Sequence, residues 1–428
     1  MPSRIIIIGA GFAGVWSAFS TQRLINLKHK EQDIEILVVA PEPSLTLRPR
    51  LYEPSPSKMK QSLGPLFKSA GIGFFQGIVE RIDSDSQTVH VKSPSGDESD
   101  IGYDRLVLAA GSAVAQPRSI TGLREYAFDI DTIAAATKLE SHIKSLESLS
   151  ASKARNTVIV CGGGFTGIEI ATELPNMLKH LEKSRIVLIE SAPEIGPELG
   201  QGPRPTIMKA LESLGVELKL NASVTDVDAN GVTLSSGERI EAMTVIWTAG
   251  VRATSLTQQI PGEKDTISRL YVDQDLRVPG CPHIFATGDA AHAATDTKGN
   301  VTMPSCQHAV VLGRFSGHNA AADLLGEPTL PYSQPGYVTC LNPGPWGAML
   351  SNGWEREVTV TGHIAKQVKR YVNQKVILLP ETAKEALEAA DPASYDSESR
   401  LKRVLGVFRW TLRNYIGNNS TKLGYLSG

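Results

Sequence analysis

Three glycines, Gly9, Gly11 and Gly14, follow four consecutive isoleucines at Ile5–Ile8 near the start of the chain. An uninterrupted β-branched run is what a strand buried on both faces of a parallel sheet requires. The spacing G-x-G-x-x-G after such a strand suits one chemistry, the cradling of a pyrophosphate. The first glycine allows a tight turn, the second lets backbone approach the phosphates, and the third lets the next helix pack closely on the strand. That helix start presents free N–H groups and the positive end of its dipole. The same chemistry is written a second time. Gly162, Gly164 and Gly167 follow the strand-like Thr157–Val160. Ile186–Glu190 then ends in an acid, about 20 residues past the glycines, where a carboxylate meets a ribose hydroxyl. Glu190 would accept from a 2′-hydroxyl and repel a 2′-phosphate, and no arginine follows it in Ser191–Gly196. Two dinucleotides are expected, the second being NADH in preference to NADPH.

Other polar residues sit where strands end. In the first unit Ala40 stands at the usual place of the ribose acid, with Glu42 in the next loop as one substitute. Arg48 and Arg50, in LRPRLYE, suit a cofactor phosphate or ring edge as well as they suit a solvated surface. Ala110 and Gly111 close the strand YDRLVLAAG, Gly250 closes VIWTAG, and Gly288 with Asp289 closes IFATGD. Asp289 is read as a contact to a cofactor hydroxyl rather than a simple turn residue. The helix after the second turn carries Glu169 and Glu173. Gln307 and His308 lie near the start of another helix, within Pro304–Gly317. A lone histidine there more often caps or packs than catalyses.

These residues need two sheets to hold them. Gly71–Val91 alternates as hairpin material, Pro328–Pro345 reads as a boundary, and strand-like Glu357–Thr361 and a basic helix, His363–Tyr371, follow. The expected fold class is α/β, with two Rossmann-like dinucleotide-binding domains and a smaller C-terminal α+β region. Ala390–Arg400 is acidic and reads as a loop. In the tail, Leu401–Ile416 places Leu405, Phe408, Leu412 and Ile416 on one helical face and Lys402, Arg403, Arg409 and Arg413 on the other. Such a helix docks on its own core, forms a homodimer contact, or lies peripherally on an anionic membrane.

A chain of 428 residues with 41% hydrophobic and 21% charged residues is long enough for several cored domains. Its net charge of -2 makes no electrostatic case for nucleic acid. No run of about 18 apolar residues suggests a membrane-spanning helix. The first strand begins almost directly after Met1, so no leader is expected. Cys161, Cys281, Cys306 and Cys340 are scattered without a C-x-x-C pair, as in a cytoplasmic protein with free thiols. No metal site is expected.

Together, GAGFAG, LRPRLYE, YDRLVLAAG, GGGFTGIE, WTAG, ATGDAA and the CQHA segment resemble the two-dinucleotide-binding flavoproteins. The resemblance covers nearly the whole chain and is greatest to the type II NADH dehydrogenase-like branch of the pyridine nucleotide-disulfide oxidoreductase superfamily. It implies an FAD domain in residues 1–120 and 253–330, an inserted NADH domain in 121–252, and a C-terminal region in 331–428. It implies that Asp289 bonds the flavin ribityl chain, that Glu169 lies near nicotinamide and flavin, and that Gln307 and His308 border the pocket of a quinone-like acceptor. Electrons would pass from NADH through FAD to that acceptor. Two alternatives stand beside it: a pathway-specific flavoenzyme acting on a small metabolite, with His308 as base, and a slow flavin-bound redox sensor. The sequence departs from the family at Ala40, at Cys306 (alanine in the family), and in lacking a long apolar C-terminal anchor. Disulfide reductases of this fold need a paired redox cysteine, and none is present.

Overall fold

The structure, a computed structural model, describes residues 2–393. The tail read as amphipathic, Leu401–Ile416, lies outside the described residues. From β1 (Ser3–Ile8) the chain passes through α1 (Phe12–Leu27) to β2 (Ile34–Ala40), β3 (Gly73–Gln76) and β4 (Arg105–Leu108). It then builds β5 (Thr157–Cys161), α2 (Phe165–Met177), β6 (Arg185–Ile189), α3 (Arg204–Ser213), β7 (Val216–Lys219) and β8 (Thr244–Trp247). It returns with β9 (Ile284–Ala286) and the long α4 (Cys306–Leu325). After α4 come β10 (Val338–Leu341), β11 (Ala348–Asn352), β12 (Glu357–Thr361) and α5 (Gly362–Tyr371), and the described part ends just past a short helix, Ala383–Ala389.

Two parallel sheets result, one in the order β9-β4-β1-β2-β3 and one in the order β7-β6-β5-β8. Each is organised around its glycine-bearing strand. Ile5 faces Ile36 on one side and Arg105 on the other, and Val160 faces Leu188 and Ile246. Ile5–Ile8 are at most 3% exposed, which is why the run is apolar without alternation. In both sheets the central strand's neighbours leave in opposite directions, the topology that opens a crevice at its C-terminal end.

Gly71–Val91, expected as a hairpin, divides in two. Gly73–Gln76 pairs parallel with β2 at the edge of the first sheet, and Ile78–Asp83 starts a separate antiparallel sheet with Thr88–Lys92. The short turn between them hides the change of partner, because alternation looks the same in either sheet.

α1 and α4 pack closely through small residues. A side chain begun at Gly313 would lie 2.4 Å from the Ala13 carbonyl oxygen, and one at Gly317 would lie 2.1 Å from that of Ser17. Ser17 and Ser316 share a hydrogen bond of 3.1 Å, and the Thr21 hydroxyl donates to the Gly317 carbonyl at 2.9 Å. This contact brings Gly11 and Phe12 at the start of α1 and Cys306 and Gln307 at the start of α4 to one cavity.

Candidate active site

That cavity, of about 2730 Å³, is lined by both glycine turns and by the C-terminal region. It exceeds the ~300–1,000 Å³ of a pocket for one drug-sized ligand. The two turns are close copies. Gly9 and Gly162 take φ of 109° and 105°, a region that L side chains rarely adopt. A side chain begun at Gly9 would lie 2.4 Å from the Ala109 carbonyl oxygen, and one at Gly162 would lie 2.8 Å from Ala249 Cα. Gly14 and Gly167 would meet the carbonyl oxygens of Gly9 and Gly162 at 1.9 and 1.8 Å, so only glycine lets each helix sit on its strand. The middle glycines differ. Nothing lies within 4 Å of a Cβ on Gly11, whereas one on Gly164 would be 2.5 Å from Glu198 Oε1.

Glu190, at the end of β6, accepts from the Gly163 N–H at 2.7 Å and the Ala192 N–H at 2.8 Å. Glu42 is exposed, accepts from Ser44 at 3.3 Å, and is not among the cavity-lining residues. On the first-turn side, the Ser112 hydroxyl donates to Asp289 Oδ2 at 2.7 Å, and Arg48 donates to Ser112 at 2.9 Å. Arg48 also pairs with Asp131, whose other oxygen accepts from the Val114 N–H at 2.9 Å. Gly111, Gly250 and Gly288 line the same cavity, while Ala110, Gly9, Gly14 and Gly167 stand behind the lining. Arg50 points elsewhere, to Glu53 at 2.7 Å.

Glu169 is 3% exposed on α2 and sits in a polar cluster that the sequence did not reveal. Its Oε1 accepts from the Asn342 N–H at 2.9 Å and from Lys369 Nζ at 3.1 Å. Lys369 also donates to the Cys340 carbonyl at 2.8 Å, and the Asn342 amide donates to the Tyr52 hydroxyl at 2.8 Å. Burial pushes the Glu169 carboxyl up to about 7, against the opposing pull of Lys369. For Lys369, burial opposes the charge, but the Glu169 carboxylate beside it outweighs burial and holds the ammonium above the ordinary lysine range. Lys369 stands on the helix read from sequence as basic. Its neighbours on α5 gave no sign that this one lysine turns inward, and only the strand-helix hairpin β12-α5 aims it at α2.

Gln307, on the first turn of α4, lines the cavity. His308 requires a correction. It is 1% exposed, stacks on Tyr337 with ring centres 4.9 Å apart, and bonds Gln334 Oε1 at 3.1 Å. It is not among the cavity-lining residues. The helical rotation between adjacent residues turns it away from Gln307 and into the packing, and burial pushes its ring down to about 4. Cys306 and Cys340 line the cavity, and burial pushes both thiols up to about 11.

Comparison with known proteins follows the same lines. The model of the family described as pyridine nucleotide-disulphide oxidoreductase matches residues 3–313. An NADH dehydrogenase-like protein of Mycobacterium tuberculosis is 40% identical over 399 residues, covering 91% of this chain and 98% of its own. A demethylphylloquinone reductase of Synechocystis is 30% identical over 358 residues, covering 81% of this chain and 86% of its own. The solved structure of NDH2 from Plasmodium falciparum in complex with NADH superposes with a TM-score of 0.70 at 16% identity. That superposition covers 91% of this chain and 97% of the solved one.

Proposed function

Because this chain belongs to the pyridine nucleotide-disulphide oxidoreductase family, as an NADH dehydrogenase-like flavoenzyme using FAD and NADH, we propose that its electrons go to a quinone-like acceptor. The observation that carries this reading is the single cavity shared by both glycine turns and an apolar wall. Val338, Ile364 and Val376 line it while remaining 43%, 71% and 60% exposed, a surface suited to an apolar ring and its tail. A relative at 30% identity that reduces demethylphylloquinone supports the same class of acceptor.

The residues fit the two nucleotides. Gly11 leaves open space where a pyrophosphate of FAD approaches, a Cβ there meeting nothing within 4 Å. There the free N–H groups and helix dipole receive the phosphates, and Asp289, oriented by Ser112 and Arg48, accepts from a hydroxyl of the ribityl chain. Glu190, fixed by two backbone N–H groups, presents its remaining acceptor capacity to the ribose of NADH. When bound, the flavin supplies two-electron chemistry between nicotinamide and acceptor. Glu169, its carboxyl held up to about 7, takes up and releases a proton near neutrality beside the reacting rings, and Lys369 balances its charge when that proton leaves. Gln307 borders the acceptor. Cys306 and Cys340 remain protonated thiols at neutral pH, which disfavours cysteine-based sulfur chemistry at this site.

The direct experiment follows NADH oxidation by the FAD-loaded protein with a short-chain quinone and, separately, with oxygen alone. Turnover much faster with quinone is expected. A flavin that NADH reduces but quinone reoxidises no faster than oxygen does would overturn the acceptor assignment. Asp289→Ala should weaken FAD retention by about 10- to 100-fold, the cost of one charged hydrogen bond, read as visible absorbance per protein after gel filtration.

A further inference from the structure

The two glycine turns match in φ, in packing and in strand context, and differ in what stands over the helix start. Over α2, the Phe165 N–H donates to Glu198 Oε1 at 2.9 Å. A Cβ on Gly164 would be 2.5 Å from Glu198 Oε1 and 3.4 Å from its carboxyl carbon, so the carboxylate stands directly over the turn. At the start of α1, by contrast, a Cβ on Gly11 would meet nothing within 4 Å. Glu198, Leu199, Gly164 and Glu190 all line the cavity.

The segment that carries Glu198 is built to place it there. Glu198 sits in the turn Pro197–Leu199, between Gly196 at φ 58° and Gly200 at φ 75°. The Gly196 N–H donates to the Gly163 carbonyl at 2.9 Å, which ties the near end of the segment to the glycine turn itself. Leu199 is 3% exposed and anchors the far end. Glu198 between them is exposed.

A carboxylate at a helix N-terminus satisfies the same N–H groups and dipole that receive a phosphate. Two anions cannot share that seat. We infer that Glu198 is a built-in competitor for the coenzyme's pyrophosphate: it closes the seat in the nucleotide-free protein and must swing out when NADH binds. This rests on the second turn being the NADH turn. Glu198 then acts as an affinity-setting residue, because the apparent dissociation constant is the intrinsic one divided by the fraction of molecules with the seat open. It acts on any ligand carrying the pyrophosphate and is indifferent to the nicotinamide.

The test uses the FAD-loaded enzyme and ADP-ribose, which carries the pyrophosphate without redox chemistry. Binding to wild type, Glu198→Ala, Glu198→Gln and Glu212→Ala is measured by calorimetry. Glu212 supplies a charge-matched control, exposed on α3 and outside the cavity lining. Glu198→Ala is expected to bind about five- to thirtyfold more tightly, with Glu198→Gln between it and wild type and Glu212→Ala unchanged. The KM for NADH should fall in parallel, and the nucleotide-free Glu198→Ala protein should melt slightly lower because its helix start has lost its anion. Unchanged or weaker ADP-ribose binding in Glu198→Ala overturns the proposal, the weaker case making Glu198 a ligand contact instead. Failure of wild type itself to bind ADP-ribose in competition with NADH would instead refute the reading of the second turn.

Discussion

At the scale of single residues, Glu169 sets burial against charge. Its carboxyl is held above the ordinary glutamate range, so the folded protein keeps a proton that the unfolded chain releases. This contribution to stability is fully present below the unfolded value and is lost as pH rises through about 7. Wild type should therefore lose on the order of 3 kcal/mol relative to Glu169→Gln between about pH 4 and 8, measured by urea denaturation. The pH profile of NADH-dependent flavin reduction should carry an inflection near 7 that Glu169→Gln abolishes. Lys369→Met removes the charge that pulls this carboxyl down, so Glu169 should keep its proton to higher pH and the inflection should move above 7. Glu190 makes a different prediction. A carboxylate opposite a 2′-phosphate loses a hydrogen bond and adds repulsion, so kcat/KM should favour NADH over NADPH by about 5- to 150-fold. Equal values for the two coenzymes would remove Glu190 from that role.

At the scale of elements, the contact between α1 and α4 couples stability to cofactor retention. The helices approach so closely because Gly313 and Gly317 face the Ala13 and Ser17 carbonyls with no room for a methyl group. Gly317→Val puts two methyl groups and a Cβ into that gap and should cost at least about 3 kcal/mol, at the upper end of overpacking effects. Because α1 carries the first glycine turn at its start, the same variant should shed FAD before it unfolds. Parallel urea curves read by far-UV dichroism and by flavin fluorescence would show two separated transitions. Coincident curves would mean that the helix pair does not position the turn.

At the scale of the whole molecule, the exposed apolar residues around the cavity and the tail beyond residue 393 belong to one question. No helix among the described residues is long and apolar enough to cross a membrane. We propose that the wall formed by Val338, Ile364 and Val376 meets an anionic membrane surface, and that the basic residues Lys402, Arg403, Arg409 and Arg413 of the following sequence add to the attraction. Each lysine or arginine near such a surface contributes about 1 kcal/mol, and salt weakens it. The full chain should co-sediment with anionic vesicles at low salt and less so at high salt. A variant ending at residue 393 should keep its FAD and its melting temperature while losing the vesicles. Full-length protein left in the supernatant at low salt would refute the membrane contact.

The sequence alone was enough for what depends on local rules. Two strands of buried branched residues, two glycine turns with a fixed spacing, and Glu190 at the end of a strand are each written within some thirty residues, and each can be read without a partner. The division of Gly71–Val91 between two sheets was not legible, because strand periodicity names a strand but not its neighbour. Nor was the difference between Gln307 and His308, which share a helix turn and part only when α4 is packed. Lys369 and Glu169 lie 200 positions apart, and Glu198 stands over a helix start 33 positions earlier in the chain. Such pairings depend on how far each segment folds back on another. They were decided by the tertiary structure, because a side chain's charge state and partner are set by what buries it.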